Sequence, residues 1–278
     1  MQLSGKIAFI GGGAMAEAIL KRLVLGGLVQ PEQIAVSEPV PARRDYVKAE
    51  YGVGVETENS TAAQGASIVI LAVKPQVLDK VLPGLAGVIQ PETLVISIMA
   101  GVRLSTLRRG LSHERIVRSM PNTPAQVGKG MTVWTATPAV TDDDKGQAQM
   151  ILEAMGDAFF VDDEHAIDLA TGLSGSGPAF VFLLVEALID AGVHIGFGRA
   201  QAERMVLQTM EGSLALLRES HTHPADLRNR VTSPAGTTAA GTLVLEQHSV
   251  RAALIEAVAA AAARSTELGD LSEATEHG

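Results

Sequence analysis

Ile7-Ala8-Phe9-Ile10-Gly11-Gly12-Gly13-Ala14-Met15-Ala16 decides how this chain is read. Four apolar residues run into three glycines and then into a helix-forming stretch. Gly11, Gly13 and Ala16 occupy the three small-residue positions of G-x-G-x-x-G/A. The first two glycines permit a sharp turn and a close approach of backbone to a pyrophosphate, whose charge then sits at a helix N-terminus. A glycine pattern alone is weak. Placed between a strand and a helix it marks a dinucleotide site, with Gly11, Gly12, Gly13, Ala14 and Met15 as its candidate residues.

Working outward, short β-rich runs alternate with helical patterns, the signature of a parallel sheet flanked by helices. Strands are expected at Lys6–Ile10, Ile34–Ser37, Ile68–Ala72, Leu94–Ile98 and Ile116–Ser119, then at Met131–Trp134 and Phe159–Val161. Helices are expected near Ala14–Leu25, Pro41–Tyr51, Gln76–Leu82 and Leu104–Arg109. Thr141 followed by Asp144 resembles a capping box opening a helix through Met155.

Beyond Glu164 the strands stop. Helices are expected at Ile167–Gly172, Pro178–Val193, Arg199–Arg218, Pro224–Val231, Thr237–Gln247 and Val250–Leu268. The fold class expected is an α/β N-terminal Rossmann-like dinucleotide-binding domain followed by an all-α dimerisation domain. Its boundaries fall at 1–163 for the first, 164–270 for the helical dimerisation and substrate domain, and 271–278 for a polar, flexible tail.

Composition narrows the function. The 278 residues are 46% hydrophobic but only 3% aromatic, so the core is aliphatic and alanine-rich. A net charge of −9 leaves no basic stripe for nucleic acid. The absence of cysteine removes thiol nucleophiles and thiolate metal sites and fits a reducing cytoplasm. No signal peptide is evident, and the most membrane-like stretch, Ala179 to Phe197, carries Glu186, Asp190 and His194. A soluble, cytoplasmic protein is expected. His221 and His223 lack a completing carboxylate, so no metal is expected.

The helix after Pro178 is apolar on nearly all sides, and such a helix must be surrounded. With Ala257–Ala263 equally small and packable, a homodimer of interlocked C-terminal helices is expected.

Other candidates lie at strand ends. Glu38, closing the second strand, stands where an acidic residue meets the ribose hydroxyl of NAD. Ser37, Arg43 and Arg44 are instead suited to a 2′-phosphate, so NADPH or NADH both stay open. Ala72-Val73-Lys74-Pro75 follows the strand Ile68–Ala72 at the edge where open α/β sheets bind ligands, although Lys74 is also readable as a solvated lysine. Asn59 is a candidate on the adenosine side, and Ala100 and Gly101 follow the strand at Leu94–Ile98. Met120-Pro121-Asn122-Thr123-Pro124 is a proline-restricted loop, a wall of the site or a rigid connection. Thr232-Ser233-Pro234-Ala235-Gly236-Thr237-Thr238 leads into a helix N-terminus, a cradle for a carboxylate, with Ser233 or Thr237 also available as a plain cap.

Gly172, Gly175 and Gly177 mimic the G-x-x-G-x-G-x-x-x-Lys pattern of hydroxyacid dehydrogenases, yet Val181 stands at the lysine. A protein acid for a developing alkoxide is therefore missing there.

Taken in order, Ile10-Gly11-Gly12-Gly13-Ala14-Met15, Asn59, Ala72-Val73-Lys74-Pro75, Met120-Pro121-Asn122-Thr123-Pro124, Gly172-Leu173-Ser174-Gly175-Ser176-Gly177-Pro178-Ala179 and Ser233-Pro234-Ala235-Gly236-Thr237-Thr238 resemble pyrroline-5-carboxylate reductases. The resemblance runs from Lys6 to about Leu268. It implies NAD(P)H-dependent reduction of a protonated cyclic imine, 1-pyrroline-5-carboxylate, to L-proline, the final step of proline biosynthesis. It places Asn59, Ala72 and Lys74 along the coenzyme and the carboxylate on Ser233, Pro234, Gly236, Thr237 and Thr238. Thr238 faces the ring nitrogen as the catalytic candidate, and Met120, Asn122 and Ser174 join the substrate set. It also implies an intertwined dimer, with rings of dimers beyond it. Ala235 departs from the family by replacing a glycine, and Thr242 by replacing an aliphatic residue. Two alternatives remain: a β-hydroxyacid dehydrogenase-like enzyme, disfavoured by Val181, and a non-catalytic NAD(P)-binding regulator.

Overall fold

Ile7–Ile10 is buried at every position because helices cover both faces of the strand. The computed structural model describes residue 3 and residues 5–274. In chain order the first elements are β1 (Ile7–Ile10), α1 (Ala14–Leu25), β2 (Ile34–Ser37), α2 (Pro41–Tyr51), β3 (Gly54–Glu56), α3 (Asn59–Ala63), β4 (Ile68–Leu71), α4 (Leu78–Leu85), β5 (Leu94–Ser97), α5 (Leu104–Leu111) and β6 (Ile116–Met120). β7 (Gly130–Ala136), α6 (Asp142–Glu153), β8 (Gly156–Phe160) and α7 (His165–Ala170) follow. A π-helical turn spans Thr171–Gly175. Then come α8 (Gly177–His194), α9 (Arg199–Ser220), α10 (Pro224–Arg230), α11 (Thr237–Gln247) and α12 (Val250–Ala274).

Two compact units result, Met1–Ser176 with Ala260–Gly278, and Gly177–Ala259. In the first, eight strands form one sheet in the order β3-β2-β1-β4-β5-β6-β7-β8. Strand periodicity sorts the core. Ile7 and Phe9 point into a cluster with Ile19 and Leu23 of α1 and Ile151 of α6, while Ala8 and Ile10 point to α3, α4 and α5 through Ala62, Leu82 and Leu107.

The sheet departs from the expected parallel pattern at one place. β7 pairs antiparallel with β6, because the connection through the short Thr123–Val127 turn has no room for a crossover helix. The edge strand β3 carries no sequence signal: it is three residues long and begins with glycine. The expected helix at Gln76–Leu82 starts later, since Pro75 opens a single 3-10 turn before α4. The capping box forms as expected, with Thr141 and Asp144 satisfying each other's backbone N–H groups.

The second unit is wholly helical. α8 packs on α9 where Gly192 faces Ala202, close enough that a Cβ on the glycine would lie 2.8 Å from the alanine Cβ. In the single chain α8, expected to be surrounded within a homodimer, has no buried residue, and Phe182 and Leu183 are each 64% exposed. The expected tail is also corrected. α12 continues through Ala274, and Arg103 pairs with Asp270 and Glu273 near its end. Residues 275–278 lie outside the described residues.

Candidate functional site

β1 sits between β2 and β4, so the strand order reverses there and a crevice opens at the carboxyl ends of β1 and β4. Gly11 crosses this point at φ +98°, with its N–H donating to the Ser37 carbonyl at 3.0 Å. A Cβ on Gly11 would lie 2.8 Å from the Ala72 carbonyl oxygen, so only glycine fits. Gly13 is the N-cap of α1 and provides no side-chain cap, and a Cβ placed on it would meet nothing within 4 Å. Exposed Gly13 and Ala14 thus offer the open, uncapped N-terminus that a pyrophosphate needs. Met15 follows, half-buried.

The rim beside it is assembled from β2, α1 and α2. Glu38 spans the glycine turn: one carboxylate oxygen accepts the Gly12 N–H at 3.1 Å and the other the Val40 N–H at 3.0 Å. The Ser37 hydroxyl donates to Asn59 Oδ1. Arg43 donates through Nε to the Gly12 carbonyl at 2.6 Å, pairs with Glu17, and lies 5.1 Å from the Tyr46 ring centre. Glu17 also accepts from the hydroxyls of Tyr46 at 2.9 Å and Tyr51 at 2.7 Å. Burial opposes ionisation of Glu17, but the hydrogen bonds from Tyr51, Arg43 and Tyr46 outweigh it and hold the carboxyl below its ordinary 4.5. Burial and the Glu17 charge push the Tyr51 hydroxyl upward. Glu17, Tyr46 and Tyr51 were not legible as site residues, because their partners are 26 to 34 residues away along the chain.

Further along the same sheet edge, Ala72 and Val73 are half-buried and Lys74 and Pro75 exposed. Pro75 keeps Lys74 extended, at φ −70° and ψ 141°. After β5, Ala100 is exposed, whereas Gly101 is buried against α12, where a Cβ would lie 3.2 Å from that of Leu268.

Met120, Asn122 and Ser174 come together. Asn122 donates through Nδ2 to the Ser174 carbonyl at 3.0 Å and accepts the Met131 N–H at 2.9 Å. A Cβ on Gly175 would sit 2.6 Å from the Met120 methyl carbon. Arg118, two residues before Met120 on β6 and 1% exposed, carries a network the sequence did not announce. Its guanidinium binds Glu164 and Asp168, each at 2.8 Å. Ser265 of α12 donates to Asp168 at 3.0 Å, and Glu164 accepts the Leu104 N–H at 2.8 Å. A charge in a strand reads as surface; only the partners gathered from α7 and α12 explain its burial.

In the helical unit, Ser233, Pro234, Ala235 and Gly236 form a tight turn closed by Gly236 N–H to the Ser233 carbonyl at 3.0 Å. Gly236 is the N-cap of α11, with no side-chain cap, so neither Ser233 nor Thr237 takes the plain capping role. Thr237 and Thr238 form the first turn of α11 behind this uncapped end. Ala235 holds φ +59°. Val181 lies on α8, 46% exposed.

Residues 6–101 match the model of the NADP oxidoreductase, coenzyme F420-dependent family, and residues 164–268 match that of the pyrroline-5-carboxylate reductase dimerisation region. The pyrroline-5-carboxylate reductase of a Synechocystis species is 49% identical over 96% of this chain and 99% of that protein. The structure of a pyrroline-5-carboxylate reductase from Coxiella burnetii is similar at a TM-score of 0.88 and 36% identity, covering 96% of this chain and 99% of the other. That of the Plasmodium falciparum pyrroline carboxylate reductase with NADP bound gives 0.88 and 31%, covering 97% and 100%. The chain belongs to the pyrroline-5-carboxylate reductase family.

Proposed function

We propose that this chain reduces 1-pyrroline-5-carboxylate to L-proline with NAD(P)H, the last step of proline synthesis. The observation that carries the site assignment is the uncapped N-terminus of α11 inside the Ser233–Thr238 segment. Thr237 and Thr238 present first-turn backbone N–H groups, and Ser233, Thr237 and Thr238 present hydroxyls. Pro234 and Gly236 shape the turn that brings them to an anion, where the helix dipole favours a carboxylate. Anchoring the carboxylate fixes which face of the imine ring is presented. The Thr238 hydroxyl hydrogen-bonds the ring nitrogen, and Met120, Asn122 and Ser174 are the substrate candidates of the first unit.

Gly11, Gly12, Gly13, Ala14 and Met15 hold the pyrophosphate, with Ser37, Arg43 and Asn59 at the adenosine end. Ala72, Val73, Lys74, Pro75, Ala100 and Gly101 line the remaining sheet edge. A coenzyme held by these residues would supply the hydride that the C=N carbon accepts. The substrate enters as an iminium ion already carrying the proton of the product amine, so no protein acid is required where Val181 stands. What the residues contribute is placement, the conversion of an encounter into a near-attack geometry.

A second copy of the chain covers the exposed apolar face of the helical unit. One helical stretch, His165–His194, is by length and composition apolar enough to cross a membrane, with a mean hydropathy of 1.6. It lies wholly within the residues matching the dimerisation model, and we read its apolar side as dimer surface. A domain limit at 163/164, further assembly into rings of dimers, and a cytoplasmic location belong to the same reading.

Steady-state kinetics of Thr238→Ala tests the mechanism. A fall in kcat/KM for the imine with unchanged coenzyme affinity is expected; an unchanged kcat/KM removes Thr238 from it. Light scattering of the purified protein reads the assembly, and a monomer overturns that part.

A further inference from the structure

NADH and NADPH differ only by a phosphate on the adenosine 2′-oxygen, so the rim around Glu38 decides between them. This inference rests on the dinucleotide reading above and deepens it. From the geometry of Glu38, Glu17 and Arg43 we infer that the chain selects NADH, with Glu38 as the specificity-determining residue and Glu17 as a positioning residue that withholds Arg43 from a phosphate.

The Glu38 carboxylate is fixed over the glycine turn by the N–H groups of Gly12 at 3.1 Å and Val40 at 3.0 Å. A carboxylate offers about four acceptor positions. Two remain for a vicinal diol, and an unphosphorylated ribose supplies two hydroxyl donors. A 2′-phosphate supplies negative charge instead, placed beside a carboxylate that the backbone keeps from moving aside.

The residues able to neutralise that phosphate are committed elsewhere. Arg43 gives Nε to the Gly12 carbonyl at 2.6 Å and its terminal nitrogen to Glu17. Arg44 gives one nitrogen to the carbonyls of Glu38 at 2.6 Å and Pro39 at 2.9 Å. The Ser37 hydroxyl is spent on Asn59. Glu17 is anchored in turn by Tyr46 at 2.9 Å and Tyr51 at 2.7 Å, so releasing Arg43 costs a three-partner arrangement rather than one exposed ion pair. Arg43 thus has Glu17 as its ion-pair partner, and Arg44 is held through one nitrogen by backbone carbonyls, so a phosphate would have to draw one or both away from these contacts.

Titration calorimetry of the full-length protein with NADH and with NADPH, without imine, tests this directly. NADH is expected to bind at least about tenfold more tightly. Glu38→Ser should narrow or invert the ratio, and the more conservative Glu38→Gln should move it the same way if the serine variant fails to fold. Glu17→Gln, which frees Arg43, should tighten NADPH with little change for NADH. Equal or tighter NADPH binding by the unaltered chain overturns the inference, as does an unchanged ratio in both Glu38 variants. Failure of both coenzymes to bind overturns the dinucleotide reading and this inference with it. Selective NADH binding with no imine-dependent oxidation leaves the inference standing and removes the proposed reaction.

Discussion

The side chain of Asn122 donates to the carbonyl oxygen of Ser174 at 3.0 Å, and the residue four positions beyond that carbonyl is Pro178, which has no N–H. The backbone departs from regular α-helix over Thr171–Gly175 just ahead of the proline, and Asn122 reaches in with a donor from the loop after β6. Its other end holds the Met131 N–H. Both functional groups of Asn122 are therefore consumed in joining the Met120–Pro124 loop to the π turn.

Asn122→Ala should leave two backbone groups without these partners and cost about 1–3 kcal/mol. Urea unfolding reads it. A stability equal to the unaltered chain would show that the bridge is dispensable. NADH or NADPH affinity should survive, because the glycine turn after β1 is untouched.

Ala235 supplies a second prediction. Its φ of +59° lies in the left-handed region, where a Cβ costs roughly 1–2 kcal/mol. The strain stands in the turn that leads into α11. Ala235→Gly relieves it but gains chain entropy in the unfolded state, an offset of about 0.5–1 kcal/mol. A net stabilisation of up to about 1 kcal/mol is expected by urea unfolding. Destabilisation would mean that the alanine methyl contributes packing that outweighs the strain.

Much of this was legible in the sequence, for a physical reason. Buried parallel strands must be apolar throughout, turns into helices need glycine or a capping residue, and both signals are local. Ile7–Ile10, Ile34–Ser37 and α11 at Thr237–Gln247 could be read to the residue or nearly so. What escaped depends on distant partners. Glu17 looks like an ordinary first-turn acid until Tyr46 and Tyr51 fold back on it. Arg118 looks like a surface charge until Glu164, Asp168 and Ser265 converge. α8, by contrast, was legible as partner-covered from its apolarity alone, and it lies within the residues matching the dimerisation model.

Arg118 gives the third prediction. Asp168 is 3% exposed, and removing its guanidinium partner leaves an uncompensated buried carboxylate. Arg118→Met should cost about 3–5 kcal/mol, while Arg118→Met with Asp168→Leu should recover most of it. Urea unfolding of the single and double variants decides: a double variant no better than the single one would show that packing, rather than charge, holds β6 to α7.

The fourth concerns acid. Burial of Asp144 opposes its charge, but hydrogen bonds from Arg115 and from the hydroxyl and N–H of Thr141 prevail and hold its carboxyl below the ordinary 3.8. Glu17 is lowered below 4.5 by its own partners. A carboxyl whose folded value lies under its unfolded value binds protons more weakly in the folded state. Its stabilisation is complete above the unfolded value and fades as pH falls through the folded one. Stability should therefore be flat for these groups above about pH 5 and decline steadily below about pH 4. Asp144→Asn should lower stability at neutral pH and flatten the acid decline, since the group that takes up the proton is gone. Urea midpoints measured from pH 7 to pH 3 check both parts. A variant whose acid decline runs parallel to that of the unaltered chain would show that Asp144 is not among the groups driving it.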